Sequence, residues 1–244
     1  MIDRVIRHDT DGLCTLTLNR PEKLNALDTF TFKELDAQIE ALDSETDRIG
    51  CVVLRGAGRA FCAGMDLNVV GREDEPPEFK PGVIDRLARL TQPVIVAVQG
   101  ACYTGGLELA LTGDFILADD TAQFADTHGK WGLIATWGLF QRLPQRVGSS
   151  AAKRMMTTSR VVKAPEANEI GLVDQLTTAG ELDSLVKALA DDILANSWHV
   201  NFALKRIMRE TDGMDLKSAL AYERHSHPGH APDHRDRINL FSKK

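Results

Sequence analysis

A glycine pair one residue short of a carboxylate, with a leucine between them, is the first chemistry the chain offers. Gly105-Gly106 precedes Leu107-Glu108-Leu109-Ala110. The apolar neighbours of Glu108 predict a helix over Leu107 to Leu111 with the glutamate turned inward, not the exposed helix glutamate that is commoner in general. Glycines at such a helix start let a ligand approach the backbone, and the helix N-terminus aims N–H groups and a positive dipole end at an oxygen. The loop Ala63-Gly64-Met65-Asp66 could supply a second N–H. Two donors meeting at one carbonyl oxygen form an oxyanion hole, worth on the order of several kcal/mol when negative charge develops there. Taken alone, paired glycines before a helix more often serve only close packing.

Other chemistry fails on inspection. Gly56-Ala57-Gly58-Arg59-Ala60-Phe61 begins like a dinucleotide fingerprint, but its third glycine position holds Phe61 and no helical pattern follows directly. There is no Walker A sequence and no GxSxG elbow. His225, His227, His230 and His234 cluster among Pro228, Gly229 and Pro232, without a cysteine or a closely spaced carboxylate set. That pattern reads as a solvated tail rather than a metal site. Cys14, Cys51, Cys62 and Cys102 form no CxxC pair, and each sits in or beside an apolar segment. They are expected as buried thiols in a reducing compartment.

The elements that must position these groups follow from periodicity. Leu13 to Leu18 predicts a strand, closed by Asn19-Arg20-Pro21. A helix is predicted from about Asp28, with Phe32, Leu35, Ile39 and Leu42 on one face and Thr31 with Glu34 as a capping box. Cys51 to Leu54 and Pro93 to Val98 are expected as buried strands, Phe115 to Ala118 as another, and Val173 to Leu176 as the last. Gly71 to Gly82, rich in proline and acids, predicts a surface loop, followed by a helical pattern from Val83 to Leu90. Cys51 to Leu67 and Val94 to Ala110 share one plan: apolar strand, small-residue loop, glycine, helix. Repeated strand–strand–helix units would explain this weak repeat. Ala151 to Thr157 is a helix candidate, and Pro165 suits the first turn of another, ended by Gly171. Leu182 to Ala195, Trp198 to Thr211 and Leu216 to His225 predict an all-helical end. The division expected is a mixed α/β core over 1–181 and a helical region over 182–244.

The 244 residues are 43% hydrophobic and 26% charged, ordinary for a globular chain with a substantial core. Net charge is −6 with scattered acids and no Lys/Arg-rich tract, so nucleic acid and anionic membranes are poor partners. Met1 to Asp11 carries charges throughout and lacks a signal-peptide h-region, and no apolar stretch approaches the ~18 residues of a spanning helix. A cytoplasmic protein is expected.

Three segments carry a resemblance: Arg20-Pro21-Glu22-Lys23-Leu24-Asn25-Ala26-Leu27, Gly58 to Leu67 (GRAFCAGMDL), and Gly105 to Ala110. With Pro93 to Gly100 and Glu169 to Val173, they resemble the signature segments of the crotonase (enoyl-CoA hydratase/isomerase) superfamily. The likeness runs in order over about residues 1 to 177. It implies an α/β fold, a spiral of ββα units with a helical C-terminal oligomerisation region that packs trimers, often paired as hexamers. It implies an acyl-CoA thioester substrate whose enolate is held by two backbone N–H groups, by position those of Met65 and Gly105. Coenzyme A, as part of the substrate, should run past Lys23, Leu24, Ala26, Ala63, Asp66 and Leu67, with Gly64 and Gly106 forming the two glycine loops. No metal or redox cofactor is expected.

Hydratases of this family use two glutamates, and Glu108 matches the first. The second should fall within Phe124-Ala125-Asp126-Thr127-His128-Gly129, where the family typically has Pro-Glu and this chain has Thr127-His128. The following glycine-rich loop is also altered, reading Gly132-Leu133-Ile134-Ala135-Thr136-Trp137-Gly138. A lone histidine beside a buried strand is usually structural, yet His128 stands at the position of the family's second catalytic residue, and an imidazole can accept or donate a proton near neutral pH. The resemblance therefore implies a catalytic partner for Glu108, or else another reaction on the scaffold or a site that has lost hydratase chemistry. Phe241 with Lys243 and Lys244 could reach coenzyme A phosphates, though a frayed basic end is the plainer expectation. The expected activity is an enoyl-CoA hydratase of fatty acid metabolism. The alternatives are another crotonase-type reaction (isomerase, decarboxylase or C–C bond hydrolase) and a non-catalytic acyl-CoA-binding protein, against which the retained Glu108 argues.

Overall fold

The computed structural model describes residues 3–69, 71 and 75–241, with Phe241 described by its backbone only. The expectation for Lys243, Lys244 and the Phe241 side chain lies outside them, as do Glu73 and Asp74 of the acidic loop.

The chain opens with β1 (Val5–Thr10) and β2 (Leu13–Leu18), an antiparallel pair in which Val5 faces Leu18. After a single 3-10 turn at Pro21–Lys23 comes α1 (Thr29–Ser44). Its buried residues are Thr31, Phe32, Leu35, Ile39 and Leu42, the face expected from periodicity. The cap differs from expectation. Asp28 is the N-cap, accepting from Thr31 N at 2.8 Å, while Glu34 reaches away to accept from Arg4 N and Val5 N. A carboxylate one residue ahead of the helix outcompetes a box built three residues later.

Next come β3 (Cys51–Gly56), α2 (Phe79–Ala88), β4 (Val94–Val98), β5 (Ala101–Tyr103) and α3 (Gly105–Ala110). Then follow β6 (Phe115–Asp119), β7 (Gln123–Ala125), α4 (His128–Trp131) and α5 (Leu139–Thr158). Two helices start earlier than their patterns suggest. α2 begins at Phe79, inside the proline-rich stretch, because Pro81 falls in the first turn, where its missing N–H costs nothing. α5 begins at Leu139, twelve residues before Ala151, and is broken at Gly148 (φ 77°), which hid its first half from a periodicity reading. The chain closes with β8 (Val162–Lys163), α6 (Ala164–Glu169), β9 (Gln175–Thr177), α7 (Leu182–Ala195), α8 (Trp198–Thr211), α9 (Leu216–Ser226) and α10 (His234–Phe241).

The weak sequence repeat is structural in its strands, but no helix follows Gly64 directly: a turn stands at 67–69 and α2 begins only at Phe79, whereas α3 starts at Gly105 itself. The strands β2, β3, β4, β6 and β9 lie side by side and parallel in one sheet, with β1 on the edge. Each turn of chain adds a short second strand in an adjoining row. Leu27 pairs in parallel with Met65, Cys62 with Cys102, and Tyr103 with Ala125. This is a spiral of ββα turns.

Alternate residues of the long strands bury on opposite faces. Val52, Leu54, Val96 and Val98 join Phe32, Leu35, Leu87 and Leu107 in the main core. Cys51, Val53, Ile95, Ala97 and Leu117 are covered on the other face by Leu182, Val186 and Ala190 of α7. All four cysteines are buried and unbridged. Lys205 of α8 buries its ammonium against Asp114 at 2.7 Å and donates to Gln92 O at 2.9 Å, tying α8 to the sheet end. Among the described residues no helix is long and apolar enough to cross a membrane, and no cluster of three metal-ligating side chains occurs.

Candidate active site

The site forms where successive ββα turns bring their loops together. Buried Asn25 staples the first two. Its side chain donates to Ala57 O (2.9 Å) and Ala60 O (2.7 Å) and accepts from Arg20 N (2.9 Å). Leu24 and Asn25 both take left-handed backbone to do this, with φ of 50° and 55°. Ala63 N then donates to Leu24 O, Leu27 N to Gly64 O, and Asp66 N to Leu27 O. Arg20, 8% exposed, donates to Ala26 O and Asp66 Oδ2 and stands 3.2 Å from Asp28. Hydrogen bonds from Asn68 N, and then Arg20, hold the Asp66 carboxyl below the usual carboxylate range against the effect of burial. The Asp66 side chain is thus committed to the loop itself.

The second and third turns meet at Gly64 and Gly105. Gly64 sits at φ 101°, and a Cβ there would stand 3.0 Å from Tyr103 O and 3.3 Å from Gly105 N. The two loops are therefore in contact. Thr104, ahead of α3, is held at φ 53°, ψ −113°, a conformation that turns the chain sharply so that Gly105 N leads the helix. Thr104 N is anchored on Ala125 O and its hydroxyl lies 2.5 Å from that of Thr127. Among the described residues, the N–H groups of Met65 and Gly105 have no acceptor within the fold. Both residues line a cavity of about 550 Å3.

Glu108 projects from the first turn of α3 into this cavity and is only 2% exposed. Its Oε1 accepts from Trp137 N at 2.8 Å and, more weakly, from Leu139 N at 3.4 Å. Its Oε2 stands 3.8 Å from His128 Nε2. Burial pushes the Glu108 carboxyl above the ordinary range, against the opposing pull of the Trp137 N–H and of His128. The imidazole of His128 is bound on its other side, Nδ1 lying 2.7 Å from Asp126 Oδ1.

The altered loop after α4 turns out to be a wall of the site. Trp137 packs edge-on against Phe32, ring centres 5.0 Å apart at 74°. A Cβ at Gly105 would stand 2.5 Å from Cζ3 of Trp137, so Gly105 is the residue that admits this ring. A Cβ at Gly106 would collide with Cys62 O, locking α3 to the neighbouring turn. Arg142 Nη1 donates to Trp137 O at 2.7 Å and fixes the loop from behind. Trp131, Leu133 and Ile134 with Pro76, Pro77 and Lys80 surround the mouth.

Of the sequence-derived site residues, Ala63, Met65, Leu67, Gly105, Glu108 and His128 line the cavity. Lys23, Leu24, Ala26, Gly64, Asp66 and Gly106 do not line it; they belong to the loops that shape or flank it. Sequence reasoning missed Trp137 and Thr104. Nothing in composition marks a tryptophan as the residue that will fit over a glycine, but Thr104 before Gly105-Gly106 occupies the turn that a helix-leading N–H requires.

These features define a class: a ββα-spiral protein with a backbone-lined pocket beside a buried carboxylate. The structure of enoyl-CoA hydratase from Mycobacterium tuberculosis H37Rv superposes with a TM-score of 0.92 at 30% identity, covering 99% of this chain and 96% of that one. The sequence model for enoyl-CoA hydratase/isomerase matches residues 8–239, and the chain belongs to that family. Similar proteins include the short-chain-enoyl-CoA hydratase of Clostridium acetobutylicum, 32% identical over 91% of this chain and 87% of its own. Another is the 1,2-epoxyphenylacetyl-CoA isomerase of Escherichia coli K12, 30% identical over 100% and 97%.

Proposed function

We propose that the protein is an enoyl-CoA hydratase that adds water across the conjugated double bond of an enoyl thioester, with no metal or redox cofactor. The observation that carries this reading is the 3.8 Å separation of Glu108 Oε2 and His128 Nε2 at the edge of the cavity. One water oxygen can sit at a hydrogen-bonding distance of about 2.8 Å from both. In this reading the thioester oxygen accepts from Met65 N–H and Gly105 N–H. His128 Nε2 takes a proton from water as its oxygen bonds to the β-carbon, and the π electrons move to the enolate oxygen. Glu108, kept protonated more readily by its burial, delivers a proton to the α-carbon as the enolate collapses. The proton on His128 then returns to Glu108 across the same gap, and the enzyme is reset.

Lys23, Leu24, Ala26, Ala63, Asp66 and Leu67 form the segment along which coenzyme A would run. The region 182–244 would pack against further copies of the chain, as a trimer or a dimer of trimers. A second reading, an isomerase, draws support from the full-length similarity to the E. coli isomerase. A panel of enoyl-CoA thioesters followed by conjugated absorbance and product mass separates them. Loss of absorbance with a gain of one water supports hydration. Conversion at unchanged mass would replace it with isomerisation.

A further inference from the structure

We infer that Asp126 is the positioning residue of this site: it fixes the His128 ring in the one neutral tautomer that leaves Nε2 free to accept a proton. The inference rests on the hydratase reading for its kinetic part only. Asp126 Oδ1 receives two groups from the same residue, the backbone N–H of His128 at 3.0 Å and ring Nδ1 at 2.7 Å. A carboxylate can only accept, so Nδ1 must carry the hydrogen and Nε2 in the neutral ring must be bare. The main-chain bond sets where the residue begins α4, and the ring bond sets how the imidazole is rotated. Together they leave Nε2 toward Glu108 at 3.8 Å.

Both partners are removed from solvent. Side-chain exposure is 3% for Asp126 and 12% for His128, so water competes poorly for Nδ1. Without the carboxylate, nothing on the same strand end would choose between the tautomers, and the Nε2–H form would point a donor where an acceptor is needed. Lone imidazoles favour that form only slightly. The large loss is expected where the replacement donates to Nδ1, as an asparagine amide can, and holds the ring in the wrong tautomer, even though Asp126 itself never reaches substrate. The pair spans only two residues, Asp126 and His128, at the junction of β7 and α4.

The test uses the full-length enzyme with nitrogen-15 in its imidazoles, the His128 signals being identified by their disappearance in His128→Gln. The parent should show a protonated Nδ1 and an unprotonated Nε2 under conditions where the ring is neutral. Asp126→Asn, close to isosteric, should populate the other tautomer and lower kcat by about 10²-fold or more with KM little changed. Asp126→Glu should restore part of kcat. A parent ring protonated at Nε2 overturns the inference, whether or not any thioester is hydrated. So does an Asp126→Asn enzyme that keeps its tautomer, or one whose loss falls on KM alone. Should no thioester be hydrated while the tautomer result stands, the hydratase reading falls and the positioning role survives.

Discussion

Around Glu108 the chain completes its own packing. Leu107, Leu109 and Ala110 are wholly buried, and the carboxylate is held by the backbone of a loop 29 residues away. On α8 to α10 the apolar side chains are left outward: Val200, Leu204, Met208, Leu220, Ile238 and Leu240 are all exposed, and Leu216 is 75% exposed. Both regions are rich in large hydrophobic groups, but only the first buries them against its own chain. A helix that buries little except Lys205 is held by an ion pair and a few contacts, and its remaining face is available to another copy. The difference sets a buried chemical site apart from an exposed apolar surface, and each half of it can be broken.

The largest effect is expected at His128. His128→Ala and His128→Gln should each lower kcat by about 10²- to 10⁴-fold with fold and acyl-CoA affinity largely kept, measured by steady-state kinetics and circular dichroism. If both keep near-parental rates on the best substrate, the histidine is structural. Gly105→Val comes next, at about 10²-fold or more in turnover, because its side chain must displace Trp137 and with it the Gly105 N–H. Full turnover by a folded Val variant would refute the assignment of Gly105.

Glu108→Gln sharpens the comparison from the stability side. The folded carboxyl binds its proton more tightly than an unfolded one, so burial of Glu108 costs least below the ordinary carboxylate range. The cost appears as pH rises through the elevated folded value. The Gln variant, still able to accept from Trp137 N, should lose turnover on a scale no larger than the His128 variants and yet be more stable by about 1 kcal/mol at neutral pH. That gain should vanish in acid, as followed by denaturant midpoints across pH. The smallest kinetic effect belongs to the tail. Leu204→Asp with Met208→Asp should leave kcat almost unchanged while light scattering falls from a trimer or hexamer toward the monomer mass. A parent already monomeric at micromolar concentration would show that the exposed faces have no copy to cover them.

Sequence legibility follows the same divide between local and long-range causes. The helices α7 and α8 and the buried face of α1 were readable because a regular apolar period is written into consecutive residues. The strand β1 was not, since Arg7, His8 and Asp9 give it the charge of a loop, and only pairing with β2 at the sheet edge makes it a strand. The short strands β5 and β7, three residues each, have no period long enough to see. At the site, Glu108, Met65 and Gly105 lie in motifs with local turn chemistry. Trp137 is positioned by Phe32 and Gly105 from distant parts of the chain, a relation that no window of sequence contains.

Trp137 has one more consequence. The chain holds three tryptophans, and they are spread over the mouth of the cavity (Trp131, 57% exposed), its wall (Trp137) and the tail, where Trp198 packs over Gly12 and Gly50. Each indole therefore carries a different optical address. An acyl group entering the cavity should shift and quench emission from the first two while leaving the third unchanged. Occupancy of the pocket can then be read by light, without turnover.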